Sequence, residues 1–170
     1  MGALERFGIE VGITYLNNEP LRKLKSLPFY IESYHLIIPR KTFNFKKETV
    51  SWVDVVELRL CLNTLDMQNR RILNQHFLKD GISIIQTLEA KSLIALFTHI
   101  QTGGWSSILR LSLVNSLQFN QDIVSIPMAK PPAQHKISLI ALDRDPNTLI
   151  ITAFLKKAKA LTFKDIEEHS

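Results

Sequence analysis

Cysteine is almost absent from this chain: Cys61 stands alone, so no internal disulfide can form and disulfide-stapled scaffolds are excluded. Its setting, Leu58-Arg59-Leu60-Cys61-Leu62, is apolar, which favours a buried small hydrophobe over a reactive thiol. Also missing is any run near the roughly 20 consecutive apolar residues that span a bilayer. The opening Met1-Gly2-Ala3-Leu4-Glu5-Arg6 carries acid and base where a secretory signal carries an apolar stretch, so a cytoplasmic protein is expected. Neither sign of charge dominates. The 21 Lys and Arg are offset by 16 Asp and Glu, and the net +5 is scattered instead of gathered into a basic arm. The pairs Lys46-Lys47, Arg70-Arg71 and Lys156-Lys157 therefore read as solvated faces ahead of phosphate clamps.

Catalytic patterns are missing too. The histidines His35, His76, His99, His135 and His169 form no H-x-x-x-H, H-x-x-E or C-x-x-C set, so packing or surface roles are expected and no metal site is predicted. No Gly-rich phosphate loop occurs, since Gly103-Gly104 runs directly into Trp105. Without a nucleophile and base, or a carboxylate pair, the chain reads as a non-enzyme without cofactor. Repeats, low-complexity tracts and long polar linkers are absent as well.

What remains is 45% hydrophobic and 22% charged residues, enough for a core in a single domain-sized chain. Short β-rich runs alternate with amphipathic stretches, the pattern of an α/β fold with helical crossovers. Strands are expected at Ile9–Leu16, Tyr34–Ile38 (stopped by Pro39), Leu58–Leu62, Ser83–Leu88, Trp105–Leu109, Asp122–Met128 and Ile137–Leu142. Ser51-Trp52-Val53-Asp54 has capping-box spacing and predicts a short helix. A second helix carries Met67, Ile72, Leu73 and Phe77 and ends at Gly81. Ser92 opens a third with Leu93, Ile94, Leu96, Phe97 and Ile100 on one face, ended by Gly103-Gly104. The turn Asp143-Arg144-Asp145-Pro146 leads to a last helix with Leu149, Ile150, Ala153, Phe154, Ala158 and Leu161 on one side. Lys156, Lys157 and Lys159 are expected at its C-terminal end, where cations suit the dipole. Extended runs at Ser33-Tyr34-His35 and Lys130-Pro131-Pro132 flank a self-contained block and read as two crossovers between lobes.

In this order the segments resemble the effector-binding domain of LysR-type transcription regulators, from about Ile9 to about Leu161. The most specific match is Pro28-Phe29-Tyr30-Ile31-Glu32-Ser33-Tyr34-His35-Leu36-Ile37-Ile38-Pro39, similar to the family's P-(L/F)-Y-x-E-x-(Y/L)-x-L-(L/I)-x-P crossover. Gly8-Ile9-Glu10-Val11-Gly12-Ile13 is similar to its lobe-one strand, while Asn69-Arg70-Arg71-Ile72, Glu89 to Ser92 and Gly103-Gly104-Trp105 follow in family order. Arg110 departs from the pattern, standing near where the family places a proline, and leaves the conformation of residues 106 to 114 open.

The resemblance implies a two-lobe, periplasmic-binding-protein-like (type 2) α/β fold, divided as 1-40 (partial lobe one and crossover), 41-127 (lobe two) and 128-170 (return crossover, strand and helix of lobe one). It implies a small polar or anionic effector bound between the lobes by Thr14, Tyr15, Thr64, Asp66, Met67, Gln68, Asn69, Ser92, Gly104 and Trp105. Helix N-termini would supply unpaired amides there, although Thr64 and Ser92 read equally well as plain N-caps, and Asp66 opposes an anion. A homo-oligomer is implied, with DNA bound only through a helix-turn-helix that this chain lacks. The family's helix-turn-helix, linker helix and first half of lobe one do not precede Met1, so the chain is expected to be a fragment with an incomplete lobe one, and lobe two its better-folded part. The alternatives are a free-standing solute-binding protein of the same architecture and, from the enzyme class, a two-lobe transferase.

Overall fold

A computed structural model describes residues 10–15, 24–42, 48–84, 88–116, 122–129, 134–143 and 147–167. They fall into two compact units, Met1–Glu32 with His135–Ser170, and Ser33–Gln134. Of the two expected crossovers, Ser33-Tyr34-His35 lies within a described strand, and Lys130-Pro131-Pro132 lies outside the described residues.

In the first unit, β1 (Val11–Tyr15) pairs antiparallel with β7 (Gln134–Leu142), from Val11 opposite Ala141 to Tyr15 opposite Ile137. Strand order runs β1-β7-β2, with β2 spanning Leu24–Pro39. Both faces of β7 are covered, with Ile137 to Ala141 all buried, which is why it reads as a continuous apolar run. The helix α4 (Leu149–Glu167) starts at Thr148, whose hydroxyl accepts from the Ile151 amide at 3.3 Å, an N-cap bond.

Which face of α4 is buried differs from the expectation. Ile151 and Ala158 are buried, whereas Leu149 is 89% and Ile150 70% exposed, and Phe154 is exposed too. The buried set keeps helical spacing but is rotated from the expected stripe, because adjacent apolar residues at 149, 150 and 151 fit more than one register. Lys156, Lys157 and Lys159 lie mid-helix, since α4 continues to Glu167. A groove within this unit is lined by Ile13, Phe29, Leu139, Phe154, Lys157 and Ala158.

In the second unit the later half of β2 is central. It pairs antiparallel with β5 (Ser107–Arg110), Tyr34 opposite Arg110, and with β6 (Ile123–Pro127), Leu36 opposite Ile126. Leu36, Ile37 and Ile38 are fully buried. Pro39 does end the strand, in a 3-10 turn at Arg40–Thr42. The strand begins at Leu24, ten residues before the expected start at Tyr34, because its early half is only partly buried and lacks a clean alternation.

A second sheet joins β3 (Cys61–Asn63) in parallel to β4 (Leu88–Ala90), with Cys61 opposite Leu88 and Asn63 opposite Ala90. Parallel neighbours need a crossover, supplied here by α1 (Gln68–Lys79). Beyond β4 comes α2 (Leu93–Gly103), and Leu60 forms a parallel bridge with Ser106. Both strands begin later than expected, at Cys61 instead of Leu58 and at Leu88 instead of Ser83: Leu58 and Arg59 precede the pairing, and Ser83 and Ile84 are not in strand. The short α3 (Leu111–Ser116) follows β5, which settles residues 106 to 114 as strand then helix, with Arg110 closing the strand.

Gly81 ends α1 as expected, at φ +69°. The Ile82 amide donates to the Phe77 carbonyl at 2.8 Å and the Gly81 amide to Leu78 at 3.1 Å, a Schellman closure. At Ser51 the capping box forms: the Ser51 amide donates to Asp54 Oδ2 at 2.8 Å and the Asp54 amide to Ser51 Oγ at 3.3 Å. No helix follows it. Residues 52–57 make successive turns instead, closed by Val56 to Val53 and Leu58 to Val55 bonds, and drive Trp52 into the core, stacked on His76 at 4.7 Å. Core packing decides against helical propagation there.

Candidate functional site

The C-terminal ends of β3 and β4 are adjacent, and each strand runs through a short turn into a helix. The N-termini of α1 and α2 therefore begin beside one another at one edge of the small sheet. Thr64, Asp66, Met67, Gln68 and Asn69 build the first approach, Lys91 and Ser92 the second. The Lys91 ammonium stands 3.9 Å from Asp66 Oδ2, bridging the two.

Helix N-termini leave amides without intrahelical partners. At α1 the N-cap position is Met67, with φ −82° and ψ 136° and no side-chain cap bond. At α2 it is Ser92, with φ −108° and ψ 134°, and its hydroxyl makes no cap bond either. The plain-capping reading of Thr64 and Ser92 is thus not realised. Nor does either helix carry an acidic residue in its first turn, where one would balance the dipole.

Electrostatics at this edge are mixed. The nearby Thr64 hydroxyl, and then the Lys91 and Arg71 charges, hold the Asp66 carboxyl below its ordinary value. That hydroxyl is buried and makes no well-formed hydrogen bond. Arg71 is exposed and donates to Gln68 Oε1 at 2.9 Å. Its neighbour Arg70 is only 3% exposed, so the solvated-face reading of that pair is corrected for Arg70.

Beneath the edge lies a polar network that the sequence reading did not single out. Asn63, fully buried, donates to the Ala90 carbonyl at 3.4 Å and accepts from Asn69 Nδ2 at 3.0 Å. Arg70 donates to the Asn63 carbonyl at 3.0 Å, to Glu89 Oε1 at 3.1 Å and to Asn74 Oδ1 at 2.9 Å. The available signal was Asn63 closing an apolar run at Leu60-Cys61-Leu62. Missed as well were Leu65 and Ile94, 56% and 79% exposed on the two approaches.

Gly104 and Trp105 do not join this edge. Gly104 caps the far end of α2 at φ +68°, and the Leu60–Ser106 bridge sets Trp105 beside Arg59, whose guanidinium lies 4.3 Å from the Trp105 ring. That is the start of β3, so a full helix length separates them from Ser92. Thr14 and Tyr15 end β1 in the other unit, where Tyr15 meets His135 edge-on at 6.2 Å.

Such an edge can take hydrogen-bond acceptors on open amides and hydroxyls. Among the described residues no group of His, Cys, Asp or Glu is placed to hold a metal, and no helix is long and apolar enough to cross a membrane.

The family model described as the LysR substrate binding domain matches residues 1–161. No curated protein matches the chain by sequence. Among solved structures, the reduced OxyR regulatory domain from Pseudomonas aeruginosa is 15% identical with a TM-score of 0.76, over 95% of this chain and 76% of that one. The Synechocystis CcmR regulatory domain in complex with 2-PG is 16% identical with a TM-score of 0.78, over 95% and 77%. Full-length CbnR complexed with its target DNA is 17% identical with a TM-score of 0.74, over 95% and 54%, so the chain spans about half that regulator's length. At these identities the likeness is one of fold.

Proposed function

Because the chain belongs to the LysR substrate-binding domain family, we propose that it senses a small polar or anionic effector at the β3–β4 edge, where α1 and α2 begin. The observation that carries this reading is the pair of adjacent helix N-termini without side-chain caps, a ready acceptor site. Ser92 and Gln68 would contact the effector, with Thr64 and Asn69 supporting them from behind; Lys91 would offset the charge of Asp66. Thr14 and Tyr15 stay within the proposal as first-unit contributors, whereas Gly104 and Trp105 act on the fold of the second unit. In a complete cytoplasmic regulator, effector binding would bias an oligomer's hold on DNA, with a helix-turn-helix and not this chain touching the operator.

A thermal-shift screen of small carboxylates, amino acids and inorganic oxyanions tests it. A binder at a hundredfold excess over Kd adds about 2.7 kcal/mol of stability. Ser92→Ala and Gln68→Met should each weaken that binder about tenfold, the worth of one hydrogen bond to a charged group. Ser116→Ala, whose hydroxyl bonds its own helix at Ser112, should not. Binding insensitive to both site variants would refute the location, and sequence-specific operator binding by the isolated chain would refute the division of labour.

A further inference from the structure

We infer that Arg70 is a positioning residue, the tie that sets the two helix N-termini in register with one another without touching the effector; the inference rests on the site proposed above. An arginine in the first turn of a helix is on the wrong end of the dipole, and burying a guanidinium is unfavourable unless its donors are met. Arg70 has both handicaps at 3% exposure. Its bonds show what the placement achieves.

From α1, the guanidinium reaches the last carbonyl of β3 at Asn63 and the carboxylate of Glu89 in the middle of β4, while Nε is fixed by Asn74 one turn along its own helix. Glu89 lies three residues before Ser92, so one guanidinium nitrogen, Nη1, fastens the start of α1 to the approach of α2. Asn63 repeats the tie through Ala90 and Asn69. The extra fastening has a physical reason. Two parallel strands of three residues each make a sheet too small to hold register alone, and two helix ends that bind one ligand have to be held to a fraction of an ångström.

A merely structural Arg70 would, when lost, loosen the second unit evenly. A positioning Arg70 predicts a local fault in β4 and the first turn of α2, elements to which Arg70 does not belong. The test is amide hydrogen exchange by NMR on the full chain, comparing Arg70→Met with Ile126→Ala, a core change on β6 outside the cluster that holds Leu88, Ala90 and Leu96. The Leu88 amide, bonded to Leu60, and the Leu96 amide, bonded to Ser92, should exchange about tenfold faster in Arg70→Met than in an Ile126→Ala protein of equal global stability. Arg70→Lys should show the same fault, because an ammonium has no second nitrogen to be held by Asn74 while the first reaches both strands. Should Arg70→Met fail to fold, Glu89→Gln removes the charge at constant shape and should show the fault in reduced degree.

Sodium phosphate supplies the second readout. Wild type should shift the Gln68 and Leu93 amides with one common Kd, and Arg70→Met should give two different ones. Exchange at Leu88 and Leu96 that merely follows global stability overturns the inference. If phosphate leaves wild-type Gln68 and Leu93 unmoved, the phosphate arm counts against the proposed site, while the exchange comparison still decides Arg70.

Discussion

Ser51 and Ser92 both precede apolar residues, and substituting each by alanine should have different consequences. At Ser51 the hydroxyl donates to Asp54 Oδ2 at 2.8 Å and accepts from the Asp54 amide at 3.3 Å. Ser51→Ala loses both bonds and keeps only the Ser51 amide bond to Asp54, a cap deletion costing about 1 kcal/mol. At Ser92 the hydroxyl makes no cap bond, so Ser92→Ala should stay within about 0.5 kcal/mol of wild type, as surface changes do. Urea unfolding followed by tryptophan fluorescence is the suitable assay, because Trp52 and Trp105 both lie in the second unit and report it alone. With a slope of about 2 kcal/mol per molar, Ser51→Ala lowers the midpoint by about 0.5 M and Ser92→Ala scarcely moves it. Equal losses at the two sites would mean that Ser92 caps α2 in solution, and the reasoning that leaves its hydroxyl for an effector would fail.

The remaining predictions concern the same unit. Gly81→Ala should cost about 1–2 kcal/mol in the same assay, a purely backbone penalty, since φ is +69° and an added Cβ meets nothing within 4 Å. Burial pushes the Cys61 thiol up, so a thiol reagent should label it only as the second unit unfolds; labelling at full speed in native buffer would refute the buried placement. Asp66 has a folded-state value below its unfolded one, so its contribution to stability is present above the unfolded value and fades as pH falls through the folded value. Thr64→Val should raise the Asp66 value towards that of an ordinary carboxylate in an NMR titration, and no change would remove Thr64 as the main cause.

The parts of the fold legible in the sequence are those where local chemistry and burial agree. Pro39 and Gly81 stop their elements because φ restriction and left-handed backbone are properties of the residues themselves. Ile137 to Ala141 announces a strand because burial on both faces leaves no polar alternation to misread. Illegible were elements decided by packing. The capping box at Ser51 forms, yet Trp52, pulled into its stack with His76 and Phe77, bends the chain through turns that no local rule demands. On α4 the adjacent apolar residues Leu149, Ile150 and Ile151 leave the buried face undetermined until β7 is in place, and Ile151 is the one buried.

The site divides along the same line. The placement of Thr64, Asp66, Met67, Gln68, Asn69 and Ser92 at two helix starts on one edge could be read because helix starts have a sequence signature and parallel strands bring successive starts together; their part in binding is the proposal. Gly104-Trp105 was assigned to that edge by its position in the family order, but an α2 of 11 residues carries the chain about 16 Å back across the sheet, to the end where β3 begins. Strand direction excludes what the order of motifs allowed. Arg70 is the reverse case: beside Arg71 it looks like one more solvated base, and only the closure of α1 onto β3 and β4 turns it inward. One arginine of the pair stays in water and the other holds three elements together, a difference that depends on helix phase. That phase is set by Ile72, Leu73 and Phe77 facing the core, so the apolar stripe of α1 also determines which base is buried under the site.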